Sequence, residues 1–301
     1  MDLSVVICSY NRYDLLTQSA RAVADSPSFD QDSMELVVVE NTPPRQRQAI
    51  DLGSRARIVV CDEPGLSNAR NAGIAASAGD IVAFVDDDAV VSDGWCSSVV
   101  NAFGTLPKAN VCGGRTLPRF SSNHRPRWYY PDLDHYLSCI DWSAKPQPIA
   151  AGQWIVGANM AFRRTVFDQV GLFDPALGRK GEASLLSNEE IAMLRKVGRD
   201  HVYYVPDMVV EHIVPEDRLT LDWFRKRVFW QAVSDVLAGE THRTIEQTAS
   251  ELFDLVARMP AEIRGHRLMS FEPADAEQFR EQLRAVYLQT LLMAAGFPAV
   301  S

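Results

Sequence analysis

The chain has 301 residues, 47% of them apolar, and a formal net charge of −9, enough material for one large domain or two modest ones around a packed core. An acidic chain of this kind is not a nonspecific nucleic-acid binder, because attraction to phosphate needs a net basic face; an anionic ligand would have to meet local positive charge or a metal. The five cysteines, Cys8, Cys61, Cys96, Cys112 and Cys139, are scattered without a CxxC pair, so they offer no zinc or redox motif and fit a reducing cytosol.

The opening MDLSVVICSYN is charged at once and has too few apolar residues for a signal peptide or spanning helix, and no later apolar run approaches about 18 residues. The expectation is a cytoplasmic protein without a transmembrane segment. LSVVICSYN is a continuous apolar run stopped by polar residues, which predicts a strand buried on both faces. A helix follows with Leu15, Leu16, Ala20 and Val23 on one side. The cycle repeats through ELVVVEN, ARIVVC, a helix from about Leu66 to Ser77, and DIVAFVDDD. Strands alternating with helices predict a mostly parallel, helix-covered α/β sheet, and ligands of such sheets gather at the carboxyl ends of the strands. Those ends are Ser9, Tyr10 and Asn11; Glu40 and Asn41; and Asp86, Asp87 and Asp88.

Three adjacent carboxylates repel one another and cannot be buried unpaired without large cost, so a cation is expected beside them. Oxygen ligands at a strand end suit Mg²⁺ or Mn²⁺. The competing account is a helix N-cap followed by an acidic first turn, where aspartate is also favoured. Upstream, in GLSNARNAGIAASAGD, Arg70 follows a glycine turn in an Ala/Gly-rich helix. From there it could reach a diphosphate or simply face solvent.

SVVICSYNR, ELVVVEN, GLSNARNAGIAASAGDIVAFVDDDA and GANMAFRRTVFDQVGLFDPALG, in this order and spacing, resemble the family 2 glycosyltransferases, enzymes with the GT-A fold. The resemblance covers about residues 3 to 215. It implies that Cys8, Ser9 and Tyr10 hold the nucleotide base, with Asn11 and Arg12 close behind. Glu40 stands where the family usually offers Asp to base or ribose, and Arg70 contacts the nucleotide part of the donor. Asp86 and Asp87 then face the ribose, and Asp88 binds a divalent metal, Mn²⁺ or Mg²⁺, that bridges the two phosphates.

Beyond the triplet, VSDGWCSSVVNAF predicts a helix with Trp95 as a packing anchor. The segment Arg115 to Trp142 turns irregular and gathers aromatic residues, among them Trp128 and Tyr129. Like Trp154 further on, these rings suit stacking against an acceptor sugar or packing as a hydrophobic lid. By the resemblance, Gly157, Ala158 and Asn159 line the seam between donor and acceptor halves, where small residues permit close backbone approach. Asn188, Glu189 and Glu190 occupy the place of the family's Gly-Glu-Asp type sequence, whose last acid is the general base. That assigns the base to Glu190 with Glu189 in support, although an acidic pair at a helix start also complements the helix dipole without any chemistry. In the strand-like stretch His201 to Pro215, His212 falls where related enzymes place a histidine near metal or pyrophosphate.

The remainder reads as helices. TLDWFRKRVFWQAVSDVLA carries Leu221, Phe224, Val228, Ala232 and Val236 at helical spacing beside Arg225, Lys226 and Arg227, a pattern for packing on the core or for peripheral contact with an anionic membrane. The later helices offer either a homodimer surface or a cap on the acceptor site. The expected organisation is a donor-binding half over residues 1–110, an acceptor-binding and catalytic half over 111–215, and a helical extension over 216–301. The expected activity is metal-dependent, inverting transfer from a nucleotide sugar, with UDP the family's habitual nucleotide, to a glycan, lipid-linked sugar or small molecule. Two other classes stay open. A nucleotidyltransferase could use a similar sheet, though SYNRYDLL lacks the glycine- and basic-rich phosphate loop it would need. A catalytically silent binding protein would account for the altered base motif.

Overall fold

The computed structural model describes residues 1–122, 124–181, 184–241, 243–264 and 270–295. The first half is built from β1 (Leu3–Ser9), α1 (Tyr13–Ala24), β2 (Met34–Glu40), β3 (Ala56–Val60), α2 (Leu66–Ala76) and β4 (Ile81–Asp86). β1 lies between β2 and β4, parallel to both, and β3 pairs in parallel on the outer side of β2. The apolar runs of β1, β2 and β4 are buried almost throughout, as continuous Val/Ile strands covered on both faces must be. β3 is the edge strand and leaves Ile58 and Val60 exposed. The register sets Ser9 opposite Glu40 and Cys8 opposite Asp86, so the polar strand ends lie side by side.

The second half departs from the expected parallel pattern. It comprises β5 (Ala89–Val91), α3 (Trp95–Thr105), β6 (Val111–Phe120), β7 (Gln147–Pro148), β8 (Asn159–Arg163), α4 (Thr165–Val170), α5 (Glu189–Val197) and β9 (Val202–Val214). The full order is β3-β2-β1-β4-β8-β6-β9-β5, with β7 against β9. β8 runs antiparallel to both β4 and β6, while β9 runs parallel to β6. The sheet becomes mixed because β8 enters after the long irregular stretch that follows β6, not through a crossover helix of the βαβ kind. β5 and β9 pair antiparallel with Ala89 opposite His212, which brings that histidine beside the aspartate triplet.

One polar pin joins these layers. Trp95, fully buried as expected of an anchor, donates from Nε1 to Asn159 Oδ1 at 2.9 Å. Asn159 Nδ2 donates in turn to the carbonyls of Met208 at 2.7 Å and Arg115 at 3.1 Å. Asn159 has no exposed surface. The structure therefore corrects its expected place at the ligand seam: the side chain ties β8 to β6 and β9 from within.

The C-terminal helices α6 (Leu221–Leu237), α7 (Ile245–Arg258) and α8 (Ala276–Ala295) pack on one another, and Phe224, Val228 and Phe279 form a second apolar cluster with Leu133 and Leu137. Trp128 sits 5.0 Å from Phe279 and 5.9 Å from Phe224 between ring centroids, with Tyr129 alongside. The packing alternative thus holds for both rings. Among the described residues no helix is long and apolar enough to cross a membrane.

Replacing Asn159 with Ala strands the Trp95 indole and two carbonyls in the interior, each an unsatisfied buried group. Urea unfolding should report a loss of about 3 kcal/mol; an unchanged midpoint would remove Asn159 from the core network.

Candidate active site

The carboxyl ends of β1, β2 and β4 open into a cavity of about 400 Å³ lined by Cys8, Ser9, Tyr10, Arg12, Asn41, Arg70, Asp86 and Asp87. A second cavity of about 550 Å³, with Tyr130, His135, Tyr136 and Trp154 on its wall, adjoins it. Ser138, Ser187, Glu190 and Arg227 line both.

The triplet divides its work. Asp88 is buried, and its Oδ2 accepts from Arg12 Nη1 at 2.6 Å and Arg218 Nη2 at 3.0 Å while Oδ1 lies 3.1 Å from His212 Nε2. Burial would raise its pKa, but the contacts with His212, Arg12 and Arg218 hold it well below the usual carboxylate range. Asp87, also buried, accepts from Ser9 Oγ at 2.8 Å. Burial, opposed by Arg12 and reinforced by Asp88, pushes it up to about 7. Asp86 is the partly exposed member and faces the cavity. Single donor atoms of Asp86, Asp88 and His212 lie within 4.8 Å of one another. Two carboxylates and an imidazole match the donor preferences of a Mn²⁺-like ion, so these residues fit a divalent metal.

Arg70 is 2% exposed and bridges the two halves: Nη1 bonds Glu189 Oε1 at 2.6 Å, and Nη2 lies 3.4 Å from Asp86 Oδ1. Its guanidinium also stands 5.5 Å from the Phe173 ring centroid. A Cβ on Gly157 would come within 2.3 Å of Arg70 Nη2, which explains the small residue expected at the seam: it makes room for the arginine.

Asn188 adopts a left-handed conformation, φ 74°, that asparagine tolerates better than most residues. Its Nδ2 donates to Asp235 Oδ1 at 2.7 Å and its Oδ1 accepts from Gln231 Nε2 at 3.0 Å. α6 thereby fixes the start of α5 and the direction of the two glutamates that follow. Glu189 is held in the Arg70 ion pair, whereas Glu190 faces both cavities and has a buried Oε2 without a hydrogen-bond partner among the described residues. Burial and the neighbouring Glu189 charge raise Glu190 to about 8, with Arg70 opposing.

Two of the expected donor contacts are placed elsewhere. Glu40 is 3% exposed, accepts from the Thr42 amide at 2.8 Å and is absent from the cavity wall, where Asn41 stands in its stead. Asn11, with φ 53° and its amide donating to Thr42 Oγ1, is a turn residue exposed at the rim. Trp154 lines the second cavity, unlike Trp128 and Tyr129. Sequence reasoning missed Arg179, Arg218 and the cavity role of Arg227, which lie far along the chain from the strand ends they reach. The basic run Arg225 to Arg227 was the one signal, and it reads equally as a solvated helix flank.

Residues 4–171, more than half of the chain, match the family "Glycosyl transferase family 2". The chain is 28% identical over 241 residues to a glucosyl-dolichyl phosphate glucuronosyltransferase of Haloferax volcanii, covering 78% of this chain and 76% of that protein. It is 25% identical over 251 residues to the succinoglycan biosynthesis protein ExoM of Rhizobium meliloti, covering 80% and 74%. Among solved structures, a mannosyltransferase from Pyrobaculum calidifontis, in complex with GDP-Man and Mn²⁺, superposes with a TM-score of 0.57 at 16% identity, over 98% of this chain and 88% of that one. S. aureus TarS residues 1–349 superpose with a TM-score of 0.51 at 12% identity, over 97% and 90%. With the mixed sheet, the acidic strand end and these matches together, the chain belongs to glycosyl transferase family 2 and is a glycosyltransferase of the GT-A fold.

Proposed function

We propose that the enzyme transfers a sugar from a nucleotide-diphosphate sugar, UDP by family habit, to a hydroxyl of an acceptor seated in the 550 Å³ cavity, with inversion at the anomeric carbon and dependence on a divalent metal. The observation that carries this reading is the position of Glu190 on the wall common to both cavities. On this reading residues 1–110 hold the donor, 111–215 contribute catalytic and acceptor contacts, and 216–301 close the acceptor side. The name of the Haloferax volcanii relative, which includes a dolichyl phosphate-linked glucose, favours a lipid-linked sugar as the acceptor class.

Glu190 Oε2 takes the proton of the acceptor hydroxyl as that oxygen attacks the anomeric carbon and the bond to the diphosphate breaks on the opposite face. One displacement inverts the centre. Glu189 is a poor candidate for the same task because Arg70 already neutralises it at 2.6 Å. Arg70 holds Asp86 and Glu189 in place between donor and acceptor sides. Asp86, Asp88 and His212 would hold the metal, which supplies charge neutralisation for the departing diphosphate.

A base acts in the transition state, so Glu190→Gln should lower turnover about a hundredfold or more while donor affinity stays near wild type. Glu189→Gln should weaken the Arg70 bridge and lower both. If Glu190→Gln keeps its turnover, the base lies elsewhere.

A base must be ionised to work, and Glu190 holds its proton up to about 8. The profile of kcat/KM should therefore climb through neutral pH and level off above about 8, a rise that Glu190→Gln removes. A profile already flat between pH 6 and roughly 9 would contradict the assignment.

In Asp88→Ala, Mn²⁺ should no longer strengthen UDP binding, as measured by calorimetry with and without the ion. Enhancement equal to wild type would take Asp88 out of the metal site.

A further inference from the structure

Five arginines line the cavity at the strand ends: Arg12, Arg70, Arg179, Arg218 and Arg227. Three have carboxylate partners. Arg12 bonds Asp87 and Asp88, Arg70 bonds Asp86 and Glu189, and Arg218 bonds Asp88. The other two have none among the described residues. No hydrogen bond or ion pair of a described residue engages the Arg179 guanidinium. Arg227 makes one long contact, Nη2 to Ser187 Oγ at 3.5 Å, and its buried Nη1 has no partner.

A guanidinium drawn from water without a hydrogen-bonded counter-charge is unfavourable, and two that feel each other are worse. Both side chains are partly buried, and the carboxylates of Asp88 and Asp86 for Arg179, and of Glu190 and Asp235 for Arg227, act on them without a hydrogen bond among the described residues. Burial and the charge of Arg179 bring Arg227 down to about 10; burial and the nearby Arg218 lower Arg179 as well. Both backbones are nevertheless held so that the side chains stay. The Arg179 carbonyl accepts from the Leu66 amide at 2.9 Å, which pins its loop to the start of α2, and Arg227 projects from the middle of the 17-residue α6. Neither residue lies in the segment 4–171 matched to the family.

We infer that Arg179 and Arg227 form an anion clamp at the seam between the two cavities, closed by a phosphate or carboxylate group of the donor. Arg227 shares its place on both cavity walls with Glu190, so the bound anion sits next to the reacting centre. Two donor groups have this chemistry there: the departing diphosphate, or a carboxylate carried by the transferred sugar. The location of the sugar rests on the glycosyl-transfer reading. The attraction for an anion does not, since it follows from two cavity-lining guanidinium groups that hold no carboxylate in a hydrogen bond among the described residues.

The test is calorimetric titration, in EDTA, of wild type, Arg179→Gln and Arg227→Gln with inorganic pyrophosphate, UDP, UDP-glucose and UDP-glucuronate. Each variant should lose about tenfold or more in affinity, the scale of a charge-assisted contact. An equal loss for all four probes assigns the clamp to the diphosphate; a loss confined to UDP-glucuronate assigns it to a sugar carboxylate. Affinities within about twofold of wild type for every probe, or a wild type that binds none of them, would overturn the clamp. Thermal melts of the free proteins guard against a structural role: the midpoint should stay within about 5 °C of wild type, because neither guanidinium holds a hydrogen-bonded ion pair among the described residues, and a larger drop in both variants would also overturn the clamp. Turnover of Glu190→Gln, with both arginines intact, scores the glycosyl-transfer reading separately.

Discussion

The bridge from Arg70 to Asp86 and Glu189 is the contact on which the site depends. It joins the end of a core strand to a helix start more than a hundred residues later, through a guanidinium that water scarcely reaches. A buried ion pair adds little net stability, because desolvating the charges offsets most of their attraction. Its value here is positional. With both carboxylates facing one arginine, the start of α5 is tied to the end of β4, and Glu190 follows the placement of Glu189. Gly157 leaves the space, and the Phe84 and Phe173 rings cover the guanidinium.

Charge is organised in layers around that bridge. Asp88 is enclosed by Arg12, Arg218 and His212, which keeps it ionised in a setting that would otherwise protonate it. Asp87 and Glu190, less fully compensated, hold protons to higher pH. A chain with a formal charge of −9 thus gathers five arginines on one cavity wall, interleaved with Asp86, Asp87, Glu189, Glu190 and Asp217. An acidic net charge and a local gathering of arginines are compatible because salt confines each charge's influence to about 8 Å at physiological ionic strength.

The C-terminal helices belong to this chemistry as much as to packing. α6 carries Phe224 and Val228 into the second apolar cluster, and from the same helix sends Gln231 and Asp235 to Asn188 and Arg227 to the cavity seam. The aromatic stretch before β8 splits likewise. Trp128 and Tyr129 anchor it to α6 and α8, while Tyr130, Tyr136 and Trp154 line the second cavity.

The sequence by itself determined the strand and helix cycle through Asp88, the burial of β1, β2 and β4, the Trp95 anchor and the gathering of polar strand ends. All of these follow from local periodicity, and the sheet register then aligns the ends automatically. It also marked Arg70, the aspartates, His212 and the two glutamates, because short motifs in fixed order carry them. Only the tertiary structure decided what each of those groups touches. Asn159 and Glu40 look like site residues by position but turn into the core and the backbone, since a strand-end side chain may face either way. Arg179, Arg218 and Arg227 come from loops and a helix with no spacing relation to the strand ends, so their convergence arises from packing alone. A charge 130 residues distant in sequence can lie 3.0 Å away in the fold, as Arg218 does from Asp88, and no local pattern encodes that approach.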